Sequence, residues 1–511
     1  MKNKVLAILL ILCMLIMGMT GCSSKSKESA NNDTNATNSD TSSSTGSNTA
    51  SNEEPYNAVL VYLVASDSQD SDKVSEKFNE LTKKDLNMNV KLMPMTWSTW
   101  NTQMQLMLAG GEQVDLFPLL MSNATTYIAS SYIDNIAPYI ESADYLMDSV
   151  GKDDIWCCSI GDFLWGVPTM KERANPVAMI TRTDCLEAAG IDASQVKSYE
   201  DMAGVYAKVQ AKYPDMIMFG GTSTSAPASQ TNELDTLGNR FGVLEDFGQT
   251  TKVTNYFESD QYKRLVNLAR QWYETGYTSK DMATCSDSGE TLMKAGNLFS
   301  YACYYKPNTK QEKDDQTGYD TTIIPIETNE LTTWGTGSLG YSVGSSSPNP
   351  AKAVELLDWI SRTEEANDLL NWGIEGVHWA LQDDGTINYP EGVTSESCGY
   401  HQNFGFALPN QFNSHVWAGN DVKVWDQYQD FRNNAQISKA YGFSPDLSEY
   451  VDQIAALTDV YNQYDAMIAT GSADPDTEIK KYNDALYAAG LQDIIDAKQK
   501  QLDEWLAASG K

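Results

Sequence analysis

Histidine and positive charge are both scarce in this chain. Of 511 residues only three are His, at 378, 401 and 415, and they fall in no zinc-ligand spacing and no His-Glu-x-x-His stretch. The sequence therefore leads us to expect no metal site, no cofactor and no catalytic residues of those types. Lys and Arg total 36 against 69 Asp and Glu, a net charge of −33. Such a field repels phosphate backbones, and no basic stripe reverses it locally, so nucleic acid is excluded as a partner. Cysteine is sparse too. Cys157, Cys158, Cys185, Cys285, Cys303 and Cys398 lie in the body of the chain, too few for a disulfide-stapled scaffold, and their oxidation state stays open. No internal repeat of about 20 to 50 residues is found.

What is present is a globular composition, 41% hydrophobic and 10% aromatic, over a length that suits two or three domains. Lys2 and Lys4 precede an apolar run from Val5 to Met19 that is too short to span a bilayer, so residues 1–21 read as a secretory signal. The run closes on Met19-Thr20-Gly21-Cys22, which resembles a bacterial lipobox and implies lipidation at Cys22. Residues 23 to 54 hold 10 Ser, 5 Thr and 6 Asn and no large apolar side chain, the composition of a disordered tether; we bound the lipidated Cys and tether at 22–55.

Past the tether, strands alternate with helices. Asn57–Val64 and Asn89–Met95 read as strands, with a helix from Asp72 to Lys84 between them, a helical stretch Thr102–Ala109 and a short strand Val114–Phe117. Phe163–Pro168, Pro176–Arg182, Met216–Phe219, Thr322–Ile326 and Leu339–Val343 are further strands, and Asp260–Thr275 is a long amphipathic helix. Two strong helices end the chain, Ser448–Thr470 and Asp476–Ala507, the second interrupted at Gly490, with Ser448 and Asp474 as expected caps. Alternation of this kind predicts a mainly parallel sheet with ligands beyond the carboxyl ends of its strands. Asp474, Asp476 and Glu478 alternate as in a Ca²⁺ loop but lack its later Gly and Glu, so a capped helix start is the better reading.

Three stretches carry a family resemblance. They are Trp165-Gly-Val-Pro168 with Arg182-Thr-Asp184, Asn349–Trp359 with Gly373–Trp379, and the segments Tyr441–Pro445, Gly471–Asp476 and Ala489–Ile495. With the lipobox they resemble the extracellular solute-binding lipoproteins of bacterial ABC importers, the carbohydrate type (family 1) with the added C-terminal domain of a larger subgroup. That resemblance implies an α/β, two-lobed, periplasmic-binding-protein-like (type II) fold with a hinge and an added helical C-terminal region. It also implies a monomer, lipid-anchored on the outer face of the cell membrane, that passes an oligosaccharide to ABC permease subunits. The expected division is lobe 1 over 56–166, lobe 2 over 167–318, a lobe 1 return over 319–372, and a C-terminal helical region over 373–511 packed on lobe 2.

A sugar offers apolar C–H faces and many hydroxyls, which rings stack on and carboxylates or amides bind. By strand-end placement the candidates are Ser66, Asp67 and Gln69 after the first strand and Trp97 and Trp100 in the next loop, one pointing outward and one packing. Trp165 and Glu172 lie at the expected first crossing between lobes, beside Lys171 and Arg173. The family's layout adds Tyr304 and Trp334, and Glu375 and Trp379 from the Gly373–Trp379 segment, where His378 reads as structural. Two other functions stay open: a secreted glycoside hydrolase, whose paired acids 69 carboxylates could hide, and a surface adhesin.

Overall fold

The computed structural model describes residues 54–174 and 176–510; the signal, Cys22 and the tether through residue 53 lie outside the described residues. From Glu54 onward the chain is one compact unit. No helix among the described residues is long and apolar enough to cross a membrane.

Two hydrophobic cores organise it. In the first, the strand Tyr56–Val64 is apolar almost throughout and lies parallel to Met88–Thr96, in register from Tyr56↔Met88 to Val64↔Thr96. The helix Ser71–Leu86 forms the crossover and ends where Asn87 takes a left-handed conformation. Its Phe78 meets Trp359 edge to face at 5.7 Å, which clamps the Pro350–Arg362 helix onto this layer. Leu116 bridges Leu60 in parallel, and the strand Phe117–Leu120 then pairs antiparallel with Leu339–Ser342, which in turn takes Val167–Pro168.

The second core surrounds a four-stranded sheet in the order Thr321–Pro325, Val177–Arg182, Leu298–Tyr304, Ile217–Phe219. The helix Asp260–Thr275 covers it, capped by the Ser259 hydroxyl at 3.0 Å from Tyr262 N and ended by Gly276 at φ 85°. Trp272 on that helix packs against Tyr199, Tyr206 and Phe219.

Several expectations change. Only Leu298–Tyr304 and Ile217–Phe219 are parallel in the second sheet, because a chain that enters a lobe and leaves it lays those strands down antiparallel. The strand Thr321–Pro325 pairs with Val177–Arg182, so the second lobe extends past residue 318, and the return to the first follows it. Nor does the region 373–511 pack on lobe 2 as a whole. Tyr400, Ala407 and Leu408 join the first core, and only the later part, including Leu457, Tyr482, Ile494 and Leu502, joins the second. Between 373 and 423 that region is mostly turns with two-residue strands rather than helix. Its last two helices are Val451–Ala469 and the pair Pro475–Ala488 and Leu491–Ser509, broken at Gly490. Asp474 caps by accepting from Asp476 N, whereas Ser448 makes no side-chain cap.

The chain thus passes between the lobes three times: at residues 169–176, at 326–338, and before Tyr441. The second and third passages pair as a short parallel ladder, Glu330↔Gln436 and Leu331↔Ile437.

Candidate ligand cleft and hinge

The pairings fix which edges look toward the hinge. Val167–Pro168 runs into the first crossing, and its neighbours put Leu339 and Leu120 at the same edge of lobe 1; the parallel strands add Val64 and Thr96. In lobe 2 that edge holds Val177, Tyr304 and Pro325. Loops leaving these edges border the space between the lobes.

After Val64 the loop is held by Gln402. Its Oε1 accepts from Ala65 N at 2.8 Å and Ser66 N at 3.3 Å, and its Nε2 donates to Ser66 O at 3.1 Å and Ser68 Oγ at 2.7 Å. Asp70 closes the loop, with Lys73 Nζ at 2.9 Å and His378 Nε2 at 3.1 Å, and these two partners hold its carboxyl below the usual carboxylate range. Buried His378 accepts from Ile374 N on Nδ1, so Nε2 carries the proton it donates to Asp70, a structural cross-link. The side chains of Ser66, Asp67 and Gln69 stay exposed.

Beside this loop lies an aromatic platform. Trp97 opens the helix Trp97–Ala109, one turn earlier than its sequence suggests, and keeps 46% of its surface exposed. Phe404 and Phe406, at 6.4 and 6.2 Å, flank it, and Trp100 packs beneath with 2% exposure. Trp100 is therefore support for the platform and offers no face to a ligand. Trp165 is corrected the same way, at 0% exposure within the first core, and Trp379, at 6%, packs with Trp372, Ile387 and Trp417. Glu375 is exposed on the turn preceding Trp379.

On lobe 2, Tyr304 ends its strand with 45% of its surface exposed. Partial burial raises its hydroxyl pKa; Arg240 opposes, and Glu327 and Glu330 add to the rise. Glu327 accepts from Thr231 Oγ1 at 2.6 Å and Asn232 N at 3.0 Å, and burial pushes it up to about 7. Trp334 is half-buried in the short helix Thr333–Gly337 and lines a cavity of about 310 Å³ with Met121 and Thr125 of lobe 1 and Leu237, Asn239 and Ile454 of lobe 2. These groups offer stacking faces, hydroxyls and carboxylates, the chemistry a polyhydroxylated ligand needs.

The hinge has its own polar core. Buried Asp154 accepts from Arg173, Arg432 and the Tyr441 hydroxyl, the last at 2.5 Å. It thereby ties a lobe 1 helix to the first and third crossings. Thr336 Oγ1 lies 2.9 Å from the Tyr441 hydroxyl and adds the second crossing. There is no room for a side chain at Gly335, where a Cβ would sit 2.7 Å from Arg173 O. Glu172 sits here too, 3.9 Å from Lys171. Burial would raise its pKa, but Lys171 and Lys306 hold it low, so it remains charged in a half-buried position.

Sequence reasoning missed Gln402, Phe404 and Phe406, although Asn403-Phe-Gly-Phe406 is an aromatic-Gly-aromatic signal that could have exposed them. It also missed that Gly340-Tyr-Ser-Val-Gly344 spells the nucleophile-elbow pattern. The structure disposes of that match: Ser342 is fully buried and ends a strand paired with Phe117, with no turn into a helix to present its hydroxyl. The six body cysteines are unpaired thiols.

The fold and cleft define a two-lobed binding protein, and the family comparison agrees. Residues 65–367 match the bacterial extracellular solute-binding protein family, and the chain belongs to it. Residues 439–507 match a second model, a domain of unknown function. A carbohydrate ABC transporter substrate-binding protein of Streptococcus pneumoniae is 23% identical over 472 residues, 90% of this chain and 93% of the relative. Among solved structures, the N-glycan transport solute-binding protein of Streptococcus pneumoniae superposes with a TM-score of 0.77 at 20% identity, covering 88% of this chain and 99% of that one. An HMO-binding, ABC-transporter-associated solute-binding protein from Bifidobacterium longum infantis gives 0.65 at 14% identity over 89% and 99%.

Proposed function

We propose that this protein captures an oligosaccharide between its lobes and delivers it, chemically unchanged, to the permease of an ABC importer. The carrying observation is the exposed platform of Trp97, Phe404 and Phe406 on one lobe, with Tyr304, Glu327 and Arg240 on the other. Trp97 and Tyr304 stack on sugar faces; Ser66, Asp67, Gln69 and Glu327 bind hydroxyls, with Trp334, Glu172 and Glu375 as outlying contacts. Ligand selects the closed arrangement by rotation about the three crossings. A relative of known structure is described in complex with Man1GlcNAc and Man5GlcNAc, which supports glycans of several residues as the substrate class. The protein acts as a monomer held by lipid on Cys22 at the outer face of the membrane, and it performs no hydrolysis.

The test is calorimetry of residues 54–511 with an oligosaccharide panel, followed by chromatography of each recovered ligand. An intact glycan bound with micromolar or better affinity supports the reading. A cleaved glycan, or binding confined to peptides, refutes it.

A further inference from the structure

Outside the cleft, one group of side chains has the composition of a metal site. Glu364 and Asp368 are four residues apart on the helix Glu364–Asn371, hence on one face, and His415 reaches them from a loop. One donor atom from each of the three lies within 4.8 Å of the other two. We propose that Glu364, Asp368 and His415 bind a Zn²⁺ ion, with water completing its coordination.

The geometry suits that ion. Zinc bonds of about 2.0–2.2 Å in a tetrahedron put neighbouring donors about 3.4 Å apart. His415 Nδ1 lies 2.6 Å from Asp368 Oδ2 and 3.9 Å from Glu364 Oε1, on either side of that spacing. Glu364 is exposed and long enough to swing in, and side-chain torsions cover the remainder. The other two donors are held in place. Asp368 is buried and spends Oδ1 on His415 N at 2.9 Å, which leaves Oδ2 for the metal. The imidazole lies against the Trp379 ring at 5.2 Å, and His415 O accepts from Trp372 Nε1 at 3.1 Å.

Charge is the second, independent argument. Glu364 and Asp368 pair with no Lys or Arg among the described residues, and Glu375 adds a further carboxylate to the field at His415. The cluster therefore sets two carboxylates against one imidazole, an excess of negative charge. A divalent cation balances it. To bind the ion Nδ1 must be free of hydrogen: an imidazolium releases that proton to solvent, and a neutral ring carries its one hydrogen on Nε2. The sequence could not signal this, because the imidazole lies 47 residues from its partner carboxylate and outside any motif spacing.

The experiment is calorimetric titration of zinc chloride into the metal-free, full-length chain in detergent, with Glu364→Gln and His415→Gln variants and zinc-edge X-ray absorption of the loaded protein. The expected result is one site, with affinity lowered at least about 10-fold by either substitution, and a spectrum of one imidazole with oxygen donors. Glu364 is exposed, so its variant remains folded, which circular dichroism checks. No binding, binding indifferent to both substitutions, or sulfur in the coordination shell each overturns the proposal.

Discussion

Replacing Asp154 with Asn should weaken the protein far more than one lost hydrogen bond would. The carboxylate is buried and faces two guanidinium groups and a phenol. Arg432 is partly exposed and can turn to water, so its share is small. Arg173 is buried, has one further contact at Thr169 O, and among the described residues has no partner for its Nη2. Stranding such a charge costs about 3–5 kcal/mol. Tyr441 keeps Thr336 but loses a charged acceptor, about 1 kcal/mol more. A unit of this length has an unfolding entropy near 1 kcal/mol per kelvin if it melts as one, so Tm falls by only about 4–6 °C. Urea denaturation is therefore the more sensitive assay. Adding Arg173→Met should recover part of the loss, because it removes the stranded charge. An Asp154→Asn midpoint within about 0.5 kcal/mol of the parent, or a double variant as unstable as the sum, would refute the reasoning.

Trp97→Ala should lower glycan affinity about 10-fold or more while changing stability by less than about 1 kcal/mol, whereas Trp100→Ala should destabilise by about 3–5 kcal/mol; calorimetry and urea melts separate the two. Glu327 has a folded pKa near 7, above its ordinary value of 4.5. The folded state therefore binds the extra proton between those values, so its contribution is present below about pH 4.5 and is lost as pH rises through 7. Glu327→Gln should flatten the stability profile over that window, by roughly 3 kcal/mol, read from urea midpoints against pH. Lys498 is buried and donates to Thr236 O, Asn239 O, Asn239 Oδ1 and Gly242 O at 2.8–3.1 Å. Lys498→Met leaves Asn239 O and Gly242 O unpaired, while Thr236 O keeps Asn239 N and Asn239 Oδ1 keeps Phe241 N, and it should cost about 3 kcal/mol, seen as a lower urea midpoint with cleft affinity unchanged.

Local pattern was informative where burial is decided locally. The run Asn57–Val64 could only be a buried strand, and the Asp260–Thr275 helix announced itself by its apolar stripe. Exposure of single rings was not local in this sense. Trp97 and Trp165 both sit near strand ends, yet one is open and the other sealed, and Trp97 owes its setting to Phe404 and Phe406 about 300 residues away. Likewise Thr321–Pro325 is a strand in either lobe by composition; only its pairing with Val177–Arg182 assigns it. Asp154 and Arg432 looked like two more surface charges among many, because a hinge that joins three passages of chain has no contiguous signature.

The three crossings also govern how the molecule can be made. Neither lobe is a continuous piece of chain: the first core needs residues as late as Leu408, and the second needs Leu502. A polypeptide that emerges from its N-terminus therefore holds an unfinished core until nearly its last helix has appeared. The first core can close once Leu408 has appeared, whereas the second waits for Leu502, so both lobes depend on long-range assembly and the second finishes last.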